Sequence, residues 1–401
     1  MIRLGIVGSR AAYVDGQVWT NPGIGRLVDA LSARFRSVDL ALTAASNKHP
    51  LFDHALALDR SHFLPLPSMP SLARGFYKIR PTRRVIRQVE QRNDVLLVQL
   101  PFEAPAALLR PRTPRVYHVC ADLRQMASKS LRYRGPKRVA AMVMAEGIDR
   151  LYRRLIHTPD TRVVTNGCAL FEHYGSAQGR AVVSSCILER EILSVRRSRP
   201  ASAPFRVLFV GYMRAEKGID TLLAAFDEIV AQLPNVELEI VGPREAAQAD
   251  VPERIVRHVA TLSRQASVRF LGPKGYGPEL FACFAEADVL AVPSRSEGTP
   301  RVLLDARAFG CPVVGTRVGG IPTSITDGVD GLLVPPNDAL ALAQALIRIA
   351  RDDALRQRLV EGGLRRVRAS TLEAFAETIT QEVMTLWNDG RHHRAEARRH
   401  A

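Results

Sequence analysis

Two carboxylates and two cations in the second half of the chain have the types and spacing that chemistry needs. Glu297 and Asp305 stand with seven residues between them in Ser-Arg-Ser-Glu-Gly-Thr-Pro-Arg-Val-Leu-Leu-Asp, residues 294–305. Arg214 and Lys217 share the stretch Gly-Tyr-Met-Arg-Ala-Glu-Lys-Gly, residues 211–218. A carboxylate on a loop can meet a hydroxyl, and one inside the next helix can chelate a vicinal diol. Amides at that helix start, on Arg301, Val302 and Leu303, have no partner within the helix and can hold a phosphate. Cations between a strand end and a helix start are placed to neutralise a diphosphate. The plain alternative is a capped helix with solvated acids, beside an ordinary basic turn.

The elements around these residues give them positions. Residues 288–292 form a short bounded apolar run, which reads as a buried parallel strand. A helix is expected next, with Thr299 as N-cap, Pro300 at its first position and Gly310 just past its end. Residues 312–315 are the following strand, completing a βαβ unit whose ligands belong at the strand carboxyl ends. The cationic stretch has the same setting: a strand over 206–211 precedes it, and a helix with Ile219, Leu222, Leu223 and Phe226 at core spacing follows. Further strands are predicted over 237–242, 268–272 and 331–334, with helices over 339–350, 354–367 and 371–386.

The first half alternates short apolar runs with helical patterns, as a doubly wound sheet does. Strands are expected over 3–8, 38–42, 94–100, 115–120, 162–165 and 181–186. Residues 9–25 read as a long loop in which Gly23 and Gly25 precede a helix and could admit a phosphate. His118 and Asp122 leave the fourth strand near its carboxyl end, where a polar residue faces the cleft in this architecture. A helix begun at Pro81 carries Arg80, Arg83, Arg84 and Arg87 at helical spacing, either a solvated face or a surface for anionic lipid. Another helix, over 137–156, is basic near its end. Residues 196–204 lack periodicity and read as a linker. The expected organisation is a domain over 1–195, the linker, a domain over 205–370, a helix over 371–388 crossing back, and a basic disordered tail over 389–401.

Composition bounds the partners. The chain has 401 residues, 46% hydrophobic and 24% charged, as in ordinary globular proteins, and no apolar run approaches a bilayer span. The five cysteines are scattered without metal spacing and read as buried residues of a reducing cytoplasm, and no signal-peptide layout opens the chain. The net charge of +16 is uneven: residues 1–195 hold 29 Lys plus Arg against 15 Asp plus Glu, whereas the remainder holds 27 against 25. No aromatic residues interleave the arginines and no zinc-finger or RNA-reading motif occurs, which disfavours nucleic acid.

The stretch 294–320 closely resembles the signature of retaining glycosyltransferases of the GT-B fold, family 4. That signature is Glu, seven residues, Glu, then a small-residue helix, Gly-x-Pro-Val-Val and a Val-Gly-Gly turn. Glu297, Gly310, Pro312, Val313, Val314, Val318, Gly319 and Gly320 match in register, while Asp305 is one methylene shorter than the second acid. Gly211, Lys217 and Gly218 match the family's phosphate-binding turn, with Tyr212 where an arginine is usual and Arg214 two residues on. The likeness is close over about 205–350 and a matter of layout before that.

The resemblance implies an α/β protein of two doubly wound Rossmann-like domains facing a cleft. It implies a retaining, metal-independent glycosyltransferase with no cofactor, using a nucleotide-diphosphate sugar as donor substrate. Glu297 is then catalytic, and Arg214, Lys217, Gly298, Thr299, Arg301, Val302 and Asp305 bind the donor. Gly23, Gly25, His118 and Asp122 are cleft or acceptor candidates, and no metal ligands are implied. The basic first half suggests a lipid-linked or membrane-embedded acceptor, an anionic membrane surface as partner, and a cytoplasmic, peripheral location. An epimerase or phosphorylase on the same fold stays open, as does a non-catalytic binding protein on a degenerate transferase scaffold.

Overall fold

The computed structural model describes residues 1–45, 52–57, 62–68, 78–129, 135–176, 178–195, 200, 202–243, 250–262 and 267–399. The chain divides into two units, Met1–Cys186 with Leu372–Ala401, and Ile187–Thr371. The division thus precedes the expected linker, of which residues 196–199 and 201 lie outside the described residues.

The first unit is built on strands β1 (Arg3–Val14), β2 (Gln17–Thr20), β3 (Ser37–Ala45), β4 (His54–Ala55), β5 (Val95–Leu100), β6 (Arg115–Val119), β7 (Thr161–Asn166) and β8 (Gly179–Val182). Helices α1 (Pro22–Ser32), α2 (Ile79–Arg92), α3 (Leu123–Lys129), α4 (Pro136–Ile156) and α5 (Cys168–Tyr174) connect them. Strands β3, β1, β5, β6, β7 and β8 pair in parallel, and Val7, Leu96, Val98, Tyr117 and Val163 form the core between sheet and helices. The long loop expected over 9–25 is not one. β1 continues to Val14 and turns at Asp15-Gly16, both at positive φ (50° and 80°), into antiparallel β2. A two-residue Asp-Gly hairpin is the turn that right-twisted strands favour. α1 then starts at Pro22, with the Asn21 side chain accepting from the Ile24 amide at 3.3 Å.

The arginine face of α2 is also smaller than expected. Arg83 donates to the Ala106 carbonyl (2.8 Å), and Arg87 donates to Glu90 (2.6 Å) and to the Arg110 carbonyl (2.7 Å). Glu90 is buried and pairs with buried Arg115 at 2.9 Å, so Arg87 belongs to an internal ion network. Arg80 and Arg84 remain exposed.

The second unit carries strands β9 (Phe205–Val210), β10 (Val236–Val241), β11 (Val268–Gly272), β12 (Val289–Val292), β13 (Val313–Thr316) and β14 (Leu332–Val334). Its helices are α6 (Ile219–Gln232), α7 (Asp250–Thr261), α8 (Pro278–Glu286), α9 (Val302–Ala308), α10 (Ile321–Ser324), α11 (Ala339–Arg351) and α12 (Asp353–Arg368). All strand pairs are parallel and run β11-β10-β9-β12-β13-β14, the doubly wound order of dinucleotide-binding sheets. Strand order reverses between β9 and β12, so the crevice for a ligand lies where those two strands end. The strands are largely buried, and Ile219, Leu222 and Phe226 of α6 pack with Leu342 and Leu346 of α11 in one core cluster against them.

The last helix, α13 (Leu372–Arg399), belongs to the first unit and packs on α1, β6 and β7. Arg162 reaches Glu382 at 3.1 Å, and Arg180 reaches it at 2.8 Å. The tail expected from 389 continues this helix through Arg399, because Ala395, Glu396, Ala397 and Arg398 are strong helix formers.

Candidate functional site

Two loops meet at the switch point of the second sheet. The loop after β9 runs Gly211–Gly218, and the loop after β12 runs Pro293–Arg301. The Lys217 ammonium is bonded to Glu297 Oε1, and Ser294 Oγ donates to the same oxygen at 3.0 Å. Glu297 is 12% exposed at its side chain and Lys217 28%, so the pair is partly dry but open to a ligand on one side. Sequence reasoning had named these two residues separately, and the fold brings them into contact.

Arg295 holds the loops together and was not singled out by its sequence position. Its guanidinium donates to the Ala215 carbonyl (2.7 Å), Asp220 (2.8 Å) and Thr221 Oγ1 (3.2 Å), and its amide donates to the Glu216 carbonyl at 2.8 Å. A planar fork with several donors suits this bridging better than a lysine could. Gly218 sits in the left-handed region (φ 65°), and a Cβ there would lie 1.9 Å from the Pro293 carbonyl oxygen. Gly319 has φ 53°, and its Cβ would lie 1.8 Å from the Glu297 carbonyl oxygen. The Val-Gly-Gly turn therefore lets backbone press against the Glu297 loop, and the Gly320 N–H donates a hydrogen bond to the Gly298 carbonyl at 2.8 Å.

Arg214 lies in the same loop, its guanidinium 4.6 Å from the centroid of the Tyr212 ring and 4.0 Å from Glu216. The tyrosine that replaces the usual arginine thus carries Arg214 on its face. Burial raises the Tyr212 hydroxyl above its ordinary value, and the Arg214 charge pulls it partly back.

The helix after Glu297 starts later than expected. α9 begins at Val302 with Arg301 as its cap residue and no side-chain cap bond, so Thr299 is not the N-cap. Pro300 already accepts from the Leu303 amide (3.3 Å) and Arg301 from the Leu304 amide (2.9 Å). A proline followed at once by a tight turn uses up the Leu303 donor that had been expected for phosphate. Gly298 and Arg301 are exposed, and Thr299 and Val302 are half-buried. Gly310 ends the helix at φ 72°, as its position implied.

Asp305, 7% exposed, accepts from the Tyr276 hydroxyl at 3.0 Å. Tyr276 follows β11 and went unnoticed in the sequence, because a lone tyrosine in a glycine-rich turn has no periodicity to mark it. Two residues further along α9, Arg307 is 2% exposed and donates to the Ser324 carbonyl (2.8 Å) and to Asp330 (2.8 Å). Burial pushes its guanidinium down to about 10, against the pull of Asp330 and helped by Arg366, so it stays charged at neutral pH. This network fixes α9 from behind, and with it the direction of Asp305.

The candidates of the first unit have structural employment. His118 is 2% exposed in β6, with Nε2 3.0 Å from Ser184 Oγ and its ring 5.1 Å from Phe375. Asp122 accepts from the Arg124 amide at 2.8 Å and the Gln125 amide at 3.4 Å, which caps the start of α3. Gly23 lies in the first turn of α1, and a Cβ on Gly25 would meet His54 at 2.2 Å. No cluster of three or more His, Cys, Asp or Glu suited to a metal ion occurs among the described residues.

The switch-point geometry meets its comparison here. Residues 204–352 match the family described as Glycosyl transferases group 1. The D-inositol 3-phosphate glycosyltransferase of Corynebacterium diphtheriae is 35% identical over 178 residues, 43% of this chain and 40% of that protein. The chain thus spans less than half the length of that curated relative. Among solved structures, the sucrose-phosphate synthase of Thermosynechococcus elongatus superposes with a TM-score of 0.74 at 21% identity, over 97% of this chain and all of that one. Anabaena HepE, solved in complex with UDP, gives 0.68 at 19% identity over 96% and 100%. These likenesses extend over both units, and the fold is GT-B, two Rossmann-like α/β units with parallel sheets.

Proposed function

We propose that the chain is a retaining glycosyltransferase that moves a sugar from a nucleoside diphosphate sugar to an acceptor hydroxyl without a metal ion. The observation that carries this reading is the Lys217–Glu297 contact at the switch point of a doubly wound sheet. A partly desolvated cation there can neutralise the leaving diphosphate, the work a metal does elsewhere, and Arg214 stands three residues before it. Glu297 then orients sugar hydroxyls beside the reacting carbon. The C–O bond to the diphosphate breaks as an oxocarbenium-like sugar forms. The acceptor oxygen attacks from the face the diphosphate leaves, and its proton goes to the departing phosphate. The group 1 match over 204–352 and the UDP complex of a protein of this fold agree with such a donor.

The acceptor in this reading is lipid-linked or membrane-embedded, and the first unit docks on an anionic surface. Arg80 and Arg84 are exposed on α2, and Lys137 and Arg138 are exposed at the start of α4. Val139 (62%), Met142 (44%) and Val143 (68%) follow on one face of α4, apolar area beside basic charge. No helix among the described residues is long and apolar enough to cross a membrane.

Labelled UDP-, GDP- and ADP-sugars incubated with the chain and a lipid extract test the proposal. Transfer that persists in EDTA supports it. Loss in EDTA with recovery on adding Mg²⁺ or Mn²⁺ removes the metal-independent mechanism, and no turnover of any donor removes the activity.

A further inference from the structure

We propose that the cavity between α6 and α7 is a regulatory site for a small phosphorylated polyol, separate from the donor site and coupled to it through Arg295. The coupling rests on the donor site just proposed, whereas the binding does not.

The cavity has a volume of about 440 Å³. That lies within the range of about 300 to 1,000 Å³ usual for organic ligands and exceeds what a lone ion fills. Its floor is apolar, made by Ile219 and Leu223, one turn apart on α6, with Ile255 of α7, all three buried. Its other wall is basic. Arg254, Arg257 and His258 line it from α7 at positions i, i+3 and i+4, which share one helix face. Both arginines are exposed, and His258 is half-buried. The lining includes none of Lys217, Glu297 and Asp305.

The amides that open α6 are already used, since those of Thr221 and Leu222 both donate to the Gly218 carbonyl (3.0 and 3.2 Å). Recognition of an anion therefore falls to the α7 side chains, where two planar guanidinium forks match the oxygens of a phosphate. Asp220, the acid in the lining, sets the other end and keeps a phosphate towards α7. A carboxylate has about four acceptor positions, so Asp220 can take a ligand hydroxyl beside its bonds from Arg295 (2.8 Å) and the Thr221 amide (3.0 Å). A phosphate at one end and hydroxyls at the other describe a phosphorylated sugar or polyol.

Arg295 links this cavity to the reaction. Ala215 and Asp220 both line the cavity, and the Arg295 guanidinium donates to the carbonyl of the first and the carboxylate of the second. Two residues further on stands Glu297, bonded to Lys217. A ligand that draws on Asp220 changes what Arg295 holds, and with it the loops that carry the Lys217–Glu297 pair. By linkage, a nucleoside diphosphate alters the affinity for the cavity ligand by the same factor.

Titration calorimetry with glucose 6-phosphate, glycerol 3-phosphate and inorganic phosphate, and with glucose as the uncharged control, tests this. It uses the wild type, Lys217→Ala and the double variant Arg254→Ala with Arg257→Ala, with a thermal melt of each. Both arginines are exposed, so the double variant should melt as the wild type does. An organic phosphate should bind the wild type and Lys217→Ala alike, and the double variant at least about tenfold more weakly, while glucose binds none of them. At saturation it should shift the wild type's affinity for whichever of UDP, GDP and ADP binds by about fivefold or more, and leave that of the double variant unchanged. Weakening by Lys217→Ala and not by the arginine variant puts the anion in the donor site and overturns the inference. A wild type that binds neither organic phosphate at up to about 10 mM overturns it too. Binding with no effect on nucleotide affinity overturns the regulatory role. If none of the three nucleotides binds and the organic phosphate does, the donor site and the coupling fall together, and the cavity stands as a binding site of its own.

Discussion

At the scale of single residues, the site depends on contacts that charge alone does not report. Lys217 holds Glu297 in place and, in the proposed reaction, faces the diphosphate. Lys217→Ala should weaken nucleoside diphosphate binding by about ten- to hundredfold, the loss of one charge-assisted bond. Isothermal titration checks it, and wild-type affinity in the variant would place the phosphate elsewhere. Asp149 shows the same dependence in the first unit. It is fully buried and accepts from Tyr174 (2.5 Å), His173 (3.0 Å) and Arg153 (3.1 Å). Burial alone would raise its carboxyl, but the hydrogen bonds from Tyr174 and His173 and the charges of His173 and Arg124 hold it below the ordinary aspartate value. A carboxyl lowered in the folded state adds stability that is present above its unfolded value and lost as pH falls through the folded one. Urea midpoints measured from pH 6 to pH 3 should therefore fall more steeply for the wild type than for Asp149→Asn below about pH 4. At pH 7 the variant should be less stable by about 3 kcal/mol.

At the scale of elements, the Glu297 loop is shaped by glycines that allow backbone to approach backbone. Gly319→Ala puts a Cβ 1.8 Å from the Glu297 carbonyl oxygen, so the loop must move. We expect a stability loss of about 1–3 kcal/mol with a fall in transfer rate, read by a melt and a donor assay. Much of this was legible in the sequence. Strands β12 and β13 follow bounded apolar runs, as strands buried along their whole length do, whereas β9, β10 and β11 carry Arg206, Glu239 and Arg269, both arginines pairing with the glutamate. The acid spacing and Lys217 were legible too. What sequence reasoning missed was carried by other signals or by none. Asp15-Gly16 and Asn21-Pro22 are local turn and cap signals for the hairpin and for α1, and two glycines downstream drew the reading to a loop instead. Arg295 and Tyr276 act through tertiary contacts with Asp220 and Asp305, and no spacing announces such partners. Thr299 fails as a cap because Pro300 and Arg301 form a turn before the helix begins.

At the scale of the molecule, the charge is divided between the halves of the chain, and the structure reduces the arginine face that first suggested a surface. Arg83 and Arg87 serve internal bonds, which leaves Arg80 and Arg84 with the basic, apolar start of α4. Basic residues near an anionic leaflet contribute about 1 kcal/mol each, within a Debye length. Sedimentation should thus show binding to anionic vesicles at low salt, weaker at high salt, and reduced by Val143→Asp. Equal partitioning to neutral vesicles would favour a soluble acceptor. All of this rests on one claim, that the Lys217–Glu297 pair is where a sugar is transferred. Single-turnover transfer from a labelled nucleotide sugar, compared between the wild type and Glu297→Gln at equal folded fraction, tests it most directly. The rate of transfer should fall at least about a hundredfold, with nucleoside diphosphate affinity changed little, since Glu297 acts on the sugar. A well-folded Glu297→Gln protein that transfers at the wild-type rate would contradict it.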